Sequence, residues 1–174
     1  FITNDNGNGK QMGQVSYNPG LPTHTVEEFD DFKFIEEDEV NLIGTGRKWY
    51  GDLFDFKLQF NYSFSFPNLV TSEPVELNTV AVARSMSSGT RIVVDYAGAQ
   101  ISLLPFPAVS SSSGDDYVRQ VASRDQFNAT SSNITLTYTY NNNVNPSAVA
   151  WMDYIEISAR RELNLSGNAM FFRE

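Results

Sequence analysis

Residues 54–66 read FDFKLQFNYSFSF, with Phe54, Phe56, Leu58, Phe60, Tyr62, Phe64 and Phe66 at every second position and only Asp, Lys, Gln, Asn and Ser between them. Strict alternation of apolar and polar residues is the period of a β-strand with one face buried. Such a stripe is either an exposed platform for stacking a sugar or a base, or the inner face of a strand. Burying even five of its rings at ~1.5–3 kcal/mol each contributes on the order of 10 kcal/mol before chain entropy is subtracted. Left exposed, the same rings would form a large adhesive patch, so the stripe is assigned to a core. Its seven inward positions would span roughly 43 Å as one straight strand, which is long, and a bend or bulge is expected within it.

Working outward, the same alternation recurs in both directions. Towards the N-terminus, apolar positions at Phe29, Phe32 and Phe34 and then Val40 and Leu42 predict a first strand and a turn into a second, short one. The glycine-rich IGTGRKWYGD, 43–52, punctuates the chain before the stripe. Beyond it, VELNTVAVARSM (75–86), RIVVDY (91–96), AQISLL (99–104) and ITLTYTY (134–140) read as strands, and PFPAVSSSSGDD (105–116) reads as a loop. Residues 117–127 fit either a bulged strand or a short helical turn. In WMDYIEISARREL (151–163), Trp151, Ile155, Ile157 and Ala159 are placed on one face, with Asp153 interrupting, and Met170 and Phe171 form a last apolar pair. About eight or nine strands at this spacing predict an all-β protein, a two-sheet antiparallel β-sandwich of jelly-roll type. Residues 1–25, rich in Gly, Asn and Pro, read as a leader or linker, and residues 26–174 as a single sandwich domain.

The 174 residues suffice for one domain with a sizeable core. Lys and Arg number 12 against 21 Asp and Glu, and the net charge of −9 disfavours nucleic acid and anionic membrane surfaces as partners. No run of apolar residues is long enough to cross a bilayer as a helix, and Phe1 opens no signal-peptide pattern, so an export signal is expected upstream. With no Cys in the chain, disulfides, thiolate metal sites and a thiol nucleophile are excluded from these residues. Four Asn-x-Ser/Thr triplets, at Asn61, Asn128, Asn133 and Asn164, are ascribed to the abundance of Asn and Ser rather than to glycan attachment.

Few residues suggest chemistry. His24 is the one histidine, in a Pro and Thr context without a nucleophile signature, and is read as an ordinary loop residue. No zinc site and no cofactor is expected. The acidic runs Glu27, Glu28, Asp30, Asp31 and Glu36, Glu37, Asp38, Glu39, and the pair Asp115 and Asp116, offer hard oxygen ligands for a structural calcium, but solvated acidic loops are the favoured reading. Gly44 to Lys48, GTGRK, lacks the spacing of a phosphate-binding loop. Trp49, Tyr50 and Trp151 are the candidate sugar-stacking residues, set against a simpler role in finishing the ends of the core.

EEDEVNLIGTGRKWYGDLFDF, FSFPNLV, VAVARS and, above all, WMDYIEISARRELNLSGNAMFFRE resemble the non-catalytic region preceding the peptidase domain in the PorU family. These gingipain-type cysteine peptidases act as sortases of the type IX secretion system in Bacteroidetes. The resemblance covers roughly residues 34–174, with GRKWYG and DYIEI-x-AR its most specific parts. It implies a periplasmic, outer-membrane or cell-surface location and a catalytic domain beyond Glu174, since the family's catalytic Cys and His cannot be carried over. The implied role is an accessory domain that packs against the peptidase domain or docks cargo or secretion-system proteins. The alternative is a carbohydrate-binding sandwich module of a secreted bacterial protein, using Trp49, Tyr50 or Trp151.

Overall fold

The stripe that opens at Phe54 does not continue as one strand. The computed structural model describes residues 25–164; the expected leader apart from Thr25, with His24, and Met170 and Phe171 lie outside the described residues. Within them, nine strands run in chain order: β1 (Glu28–Ile35), β2 (Leu53–Phe54), β3 (Gln59–Ser65), β4 (Val75–Arg84), β5 (Thr90–Tyr96), β6 (Ala99–Phe106), β7 (Arg119–Phe127), β8 (Asn133–Asn141) and β9 (Val149–Glu162). All pair antiparallel, in a sheet ordered β1-β9-β4-β7 with β2 as a stub on β9, and a second sheet ordered β3-β8-β5-β6. Apart from the β5–β6 hairpin, successive strands from β3 onward pass between the sheets in the crossed-over order of a jelly roll, as expected from the strand count.

The stripe is where the chain changes sheets. Leu53 and Phe54 pair with Trp151 and Ala150 of β9, and five residues later Gln59 pairs with Thr139 of β8 in the opposite sheet. A bend was expected, but the break is complete, and it exposes one ring: Phe56 is 100% exposed while Phe54 and Phe66 are fully buried. Tyr62 and Phe64 are also buried, and Leu58 and Phe60 are half-buried. The crossing residues stay anchored on both sides. The Phe60 ring meets Phe54 edge-on at 4.8 Å and lies 3.8 Å beneath the Lys57 ammonium. Tyr62 donates a 2.7 Å hydrogen bond to Asp52 beside β2, which ties the two sheets together at this corner. Burial and this carboxylate hold the Tyr62 phenol well above its ordinary pKa.

Between the sheets, Leu77, Ile155 and Ile157 from one side meet Ile92, Leu104, Ile134, Leu136, Tyr138 and Tyr140 from the other. The predicted inward face of β8, Ile134 to Tyr140, is the buried one. Thr79 and Tyr138 share a 2.8 Å hydrogen bond across the interior, so the buried phenol is satisfied. Residues 117–127 contain no helical turn; from Arg119 they form β7, with alternating exposure. Pro105, expected in a loop, lies in β6 opposite Arg91. There it is tolerated because β6 is an edge strand and no outer neighbour needs the missing N–H.

β1 divides its rings between two faces, and in β9 one face assignment changes. In β1 the inward ring is Phe29, at 2% exposure, whereas Phe32 and Phe34 are 51% and 56% exposed on the outer face. Phe32 stands three positions after Phe29, an odd step, so a two-residue period cannot put both inside. In β9 the pairing with β4 runs Val80 opposite Tyr154 and then Ala81 opposite Met152, leaving Asp153 as an extra, unpaired residue. This bulge inverts the alternation. Met152, Ile155, Ile157 and Ala159 face the core, while Trp151, expected beside Ile155, packs on the outer face with Tyr50 and Val82.

That outer cluster is roofed by residues 36–52, a flap laid over the sheet. Its ends are held by backbone pairing of Val40 with Tyr50, and of Gly51 and Asp52 with Met152. The short strand expected at Val40 and Leu42 is reduced to the single Val40 bridge. Asp153 is half-buried at the bulge, and burial first, then the Glu36 and Asp38 carboxylates of the flap, raise its pKa, with Lys48 acting in the opposite direction.

Two predictions follow from this packing. Phe66→Ala is expected to lower stability to urea by ~3–5 kcal/mol and Phe56→Ala by less than about 0.5 kcal/mol, a contrast that equal costs would contradict. Asp153 carries a folded-state pKa above its ordinary value of 3.8, so its ionisation disfavours the fold as pH rises through the folded pKa and has no effect below the unfolded one. Asp153→Asn is therefore expected to melt at a higher temperature than the parent at pH 7.5, with the advantage shrinking towards zero near pH 3.5. A lower melting temperature at pH 7.5 would contradict it.

Candidate functional site

The flap and the start of β7 enclose a cleft of about 590 Å³ on the outer face of the five-stranded sheet. Its apolar lining comes from Leu42, Ile43, Tyr50 and Val118, and its polar lining includes Arg47, Lys48 and Gln120. The sequence builds each wall for a separate reason. Gly44 and Gly46 take φ values of +66° and +70°, a left-handed turn that suits glycine and swings the GTGRK segment out over the sheet. The Trp49 indole then donates to the Gly46 carbonyl at 3.3 Å, and Asn41 donates to the Lys48 carbonyl at 2.7 Å, closing the flap on itself. Lys48 reaches across the cleft to Gln120 at 3.4 Å.

The opposite wall is set by a cluster of charges. Arg119 pairs with Asp115 at 2.6 Å and with Asp116 at 3.0 Å. Asp115 also accepts the Ser110 backbone N–H at 2.6 Å, and these bonds hold its carboxyl below the ordinary carboxylate range, the Ser110 contacts foremost. The Asp115 and Asp116 pair considered as calcium ligands is thus engaged by one guanidinium. Just upstream of Arg119, Tyr117 is 43% exposed, with the Arg84 guanidinium 4.2 Å from its ring centre and hydrogen-bonded to its carbonyl at 2.7 Å.

The three rings singled out in the sequence do not form one platform. Tyr50 and Trp151, at 4% and 7% exposure, are brought together with Val82 as the packing that seats the flap, and burial foremost, then Asp153, raises the Tyr50 phenol pKa. Trp49, at 42% exposure, points elsewhere. The cleft residues that sequence reading passed over include Tyr117 and Gln120, with Arg84 supporting Tyr117 from β4. They stand far from GTGRK along the chain, and only the β4 to β7 pairing gathers them.

A second groove, of about 580 Å³, lies across β1, β9 and β4 and is lined by Glu28, Asp30, Glu73 and Glu76. Its Arg160 is already paired with Glu28 and Asp30. No helix among the described residues is long and apolar enough to cross a membrane.

Neither a protein-family model nor a curated protein matches the chain. Among solved structures, it is similar to dimeric latent PorU from Porphyromonas gingivalis, with a TM-score of 0.70 and 19% identity over 88% of this chain. The match occupies 15% of the PorU chain, so this chain spans a small part of that protein's length. A looser likeness, with a TM-score of 0.47 and 11% identity over 73% of this chain and 96% of the other, is to the CBM36-1 domain of a multidomain xylanase from the hindgut metagenome of Trinervitermes trinervoides. A carbohydrate-binding module CBM36 in complex with calcium and xylotriose gives a TM-score of 0.39 and 10% identity over 57% of this chain and 71% of that one. At 19% identity the likeness to PorU is one of fold alone, and the two modules, with TM-scores of 0.47 and 0.39, carry no argument. The chain shares the sandwich fold of a part of PorU, as its sequence resemblance leads one to expect.

Proposed function

We propose that this sandwich is a non-catalytic accessory domain of a larger gingipain-type cysteine peptidase with sortase activity, displayed in the periplasm, the outer membrane or at the cell surface. The observation that carries the proposal is the superposition on PorU, which takes in 88% of this chain and 15% of that one: a whole sandwich here corresponds to a fraction of a multidomain protein there. The sequence resemblance at GRKWYG and DYIEI-x-AR points the same way. In this reading the domain's chemistry is recognition, and its partners are the peptidase domain of the same polypeptide and cargo or secretion-system proteins. A jelly roll suits the role because its paired strands hold surface loops such as the flap in fixed positions.

A second reading, a carbohydrate-binding module, has Trp49 as its support, since its ring is exposed while Tyr50 and Trp151 are committed to packing.

The deciding experiment begins with the native reading frame beyond the Glu174 codon. It is expected to continue into a domain with a Cys and His pair, and the polypeptide carrying both domains is expected to keep them associated on size exclusion after cleavage between them. A stop codon after Glu174, or a following domain without that pair, would overturn the proposal.

A further inference from the structure

We infer that the open half of the outer face, from Phe32 and Phe34 on β1 to Glu76 on β4, docks a basic segment of a separate protein, one that sets an Arg or Lys side chain beside an apolar one. The inference rests on this face alone, and the peptidase parent is not needed for it.

The first observation is the exposed rings. Phe32 and Phe34 stand two positions apart on one face of β1, both exposed, and the Tyr154 ring of β9 lies 6.2 Å from Phe34. Large rings left in water side by side on a sheet mark a contact surface. The face is not flat there. Cross-strand rows run Phe34, Glu156, Asn78 and Phe32, Ser158, Glu76. The small Ser158 between Phe32 and Glu76 opens two adjoining hollows, of about 580 and about 280 Å³, which share Asp30 and Ser158.

The second observation is charge, and it selects the occupant. Six carboxylates line the hollows: Glu28, Asp30, Asp31, Glu73, Glu76 and Glu156. Three guanidiniums meet them and all are engaged, Arg160 with Glu28 and Asp30, Arg161 with Asp31 and Arg124 with Glu76. The other cations of the sheet are turned elsewhere, Lys33 over the Phe66 ring, Arg84 to Tyr117 and Arg119 to Asp115 and Asp116. Arg124 also lies in the field of Glu156, but its hydrogen bond goes to Glu76 at 2.9 Å. Six against three leaves an excess of three negative charges, and Glu73 and Glu156 make no ion pair among the described residues. Glu36 of the flap adds its field at Tyr154. An Arg or Lys of a partner complements such a surface twice, by pairing with a carboxylate and by covering a ring. Nucleic acid and anionic lipid are repelled by it.

The third observation concerns hydrogen bonding. The neutral donors of this face are turned to its own carboxylates: the Asn78 amide and the Tyr154 phenol donate to Glu156 at 2.8 and 2.6 Å, and the Gln126 amide donates to Glu76 at 3.1 Å. Ser158 supplies the one hydroxyl lining the hollows. The surplus is therefore in acceptors, whereas a sugar hydroxyl calls for donors as well and a guanidinium is donors only. The same bonds fix Glu156 in place, so a partner meets an ordered carboxylate. The patch runs roughly 13 Å along β1 from Asp30 to Phe34 and roughly 10 Å across to β4, room for several side chains of a polypeptide, and a polyamine would leave the rings uncovered. β1 is also an edge strand. A strand added to its free edge would pair through the backbone, whatever the charge of its side chains, which a neutral peptide tests.

The test is isothermal titration of the chain with a heptapeptide alternating arginine and leucine, with its serine-for-arginine analogue, with spermine and with the neutral tetrasaccharide cellotetraose, at low and at physiological salt. Saturable binding of the basic peptide, at least ~10-fold tighter than of the other three and weakened by salt, is expected. Phe32→Ser/Phe34→Ser and Glu156→Gln are each expected to lose at least ~10-fold in affinity, the former with an unchanged melting temperature because both rings are exposed. Ser158→Arg, which places a cation of the chain's own in the hollows, is expected to abolish binding. Asp95→Asn removes the same charge as Glu156→Gln from the four-stranded sheet, opposite Thr137, and should bind as the parent does. The inference is overturned if the basic peptide does not bind, if the ring variant or Ser158→Arg binds as well as the parent, or if Asp95→Asn loses as much as Glu156→Gln, the mark of unlocalised attraction. Equal binding of the neutral peptide would overturn it in favour of edge pairing, equal binding of spermine or cellotetraose in favour of a small ligand. None of these results bears on the peptidase parent.

Discussion

One inserted residue, Asp153, decides what the outer face of this sandwich can do. A strand gives alternate side chains to its two faces, and an extra residue between Val80 and Ala81 of the facing strand exchanges those faces halfway along β9. Below the bulge Ile155 and Ile157 point into the core; above it Met152 does, and Trp151 is turned outward. The outward indole meets Tyr50 and Val82, and this small apolar cluster gives the flap a seat. Without the bulge, Trp151 would belong to the inner face and the flap would rest on little more than backbone hydrogen bonds.

The flap in turn makes the surface concave. A twisted antiparallel sheet presents an open face, and a ligand or partner meeting it gains few simultaneous contacts. Laying residues 36–52 over part of that face creates a wall, and the loop before β7, stiffened by Arg119 on Asp115 and Asp116, creates the other. The remainder of the face stays open, with Phe32 and Phe34 exposed on β1 and Tyr154 beside Phe34. The Tyr154 phenol, its pKa pushed up to about 12 by burial first and then by its bond to Glu156, stays protonated and donates to that carboxylate at 2.6 Å. The outer face is thus divided into a roofed half of mixed charge and an open half with exposed rings, while the inner face is given over to packing.

The corner between β2 and β3 shows how the same residues serve two sheets. Phe54 packs from the five-stranded sheet and Phe60 from the four-stranded one, their rings meeting edge-on, while Asp52 and Tyr62 add a hydrogen bond across the gap. A chain that changes sheets must leave its ladder for a few residues, and those residues lose their backbone partners. Here Phe56 takes the solvent position, and Lys57 covers the exposed flank of Phe60.

The all-β class, most strand positions and the inward face of β8 were legible in the sequence because alternation is a local property: a side chain's face follows from its place in the strand. The aromatic stripe belongs to the core as expected, except at Phe56, because so many rings left in water would form an adhesive patch. What alternation cannot register is an interruption that involves a partner. The bulge at Asp153 exists only relative to β4, the break at Phe56 only relative to the two sheets it joins, and the outward turn of Phe32 and Phe34 only relative to the pairing of Phe29 with Arg161. The cleft is the extreme case, since Arg47 and Lys48 from one loop meet Tyr117 and Gln120 from a segment some seventy residues away. The sequence by itself determined which residues are apolar, which alternate and how many strands result. The tertiary structure decided which of two opposite faces each ring occupies and which distant charges share a cavity, because both depend on strand register, and register is settled by the packing of the whole sandwich.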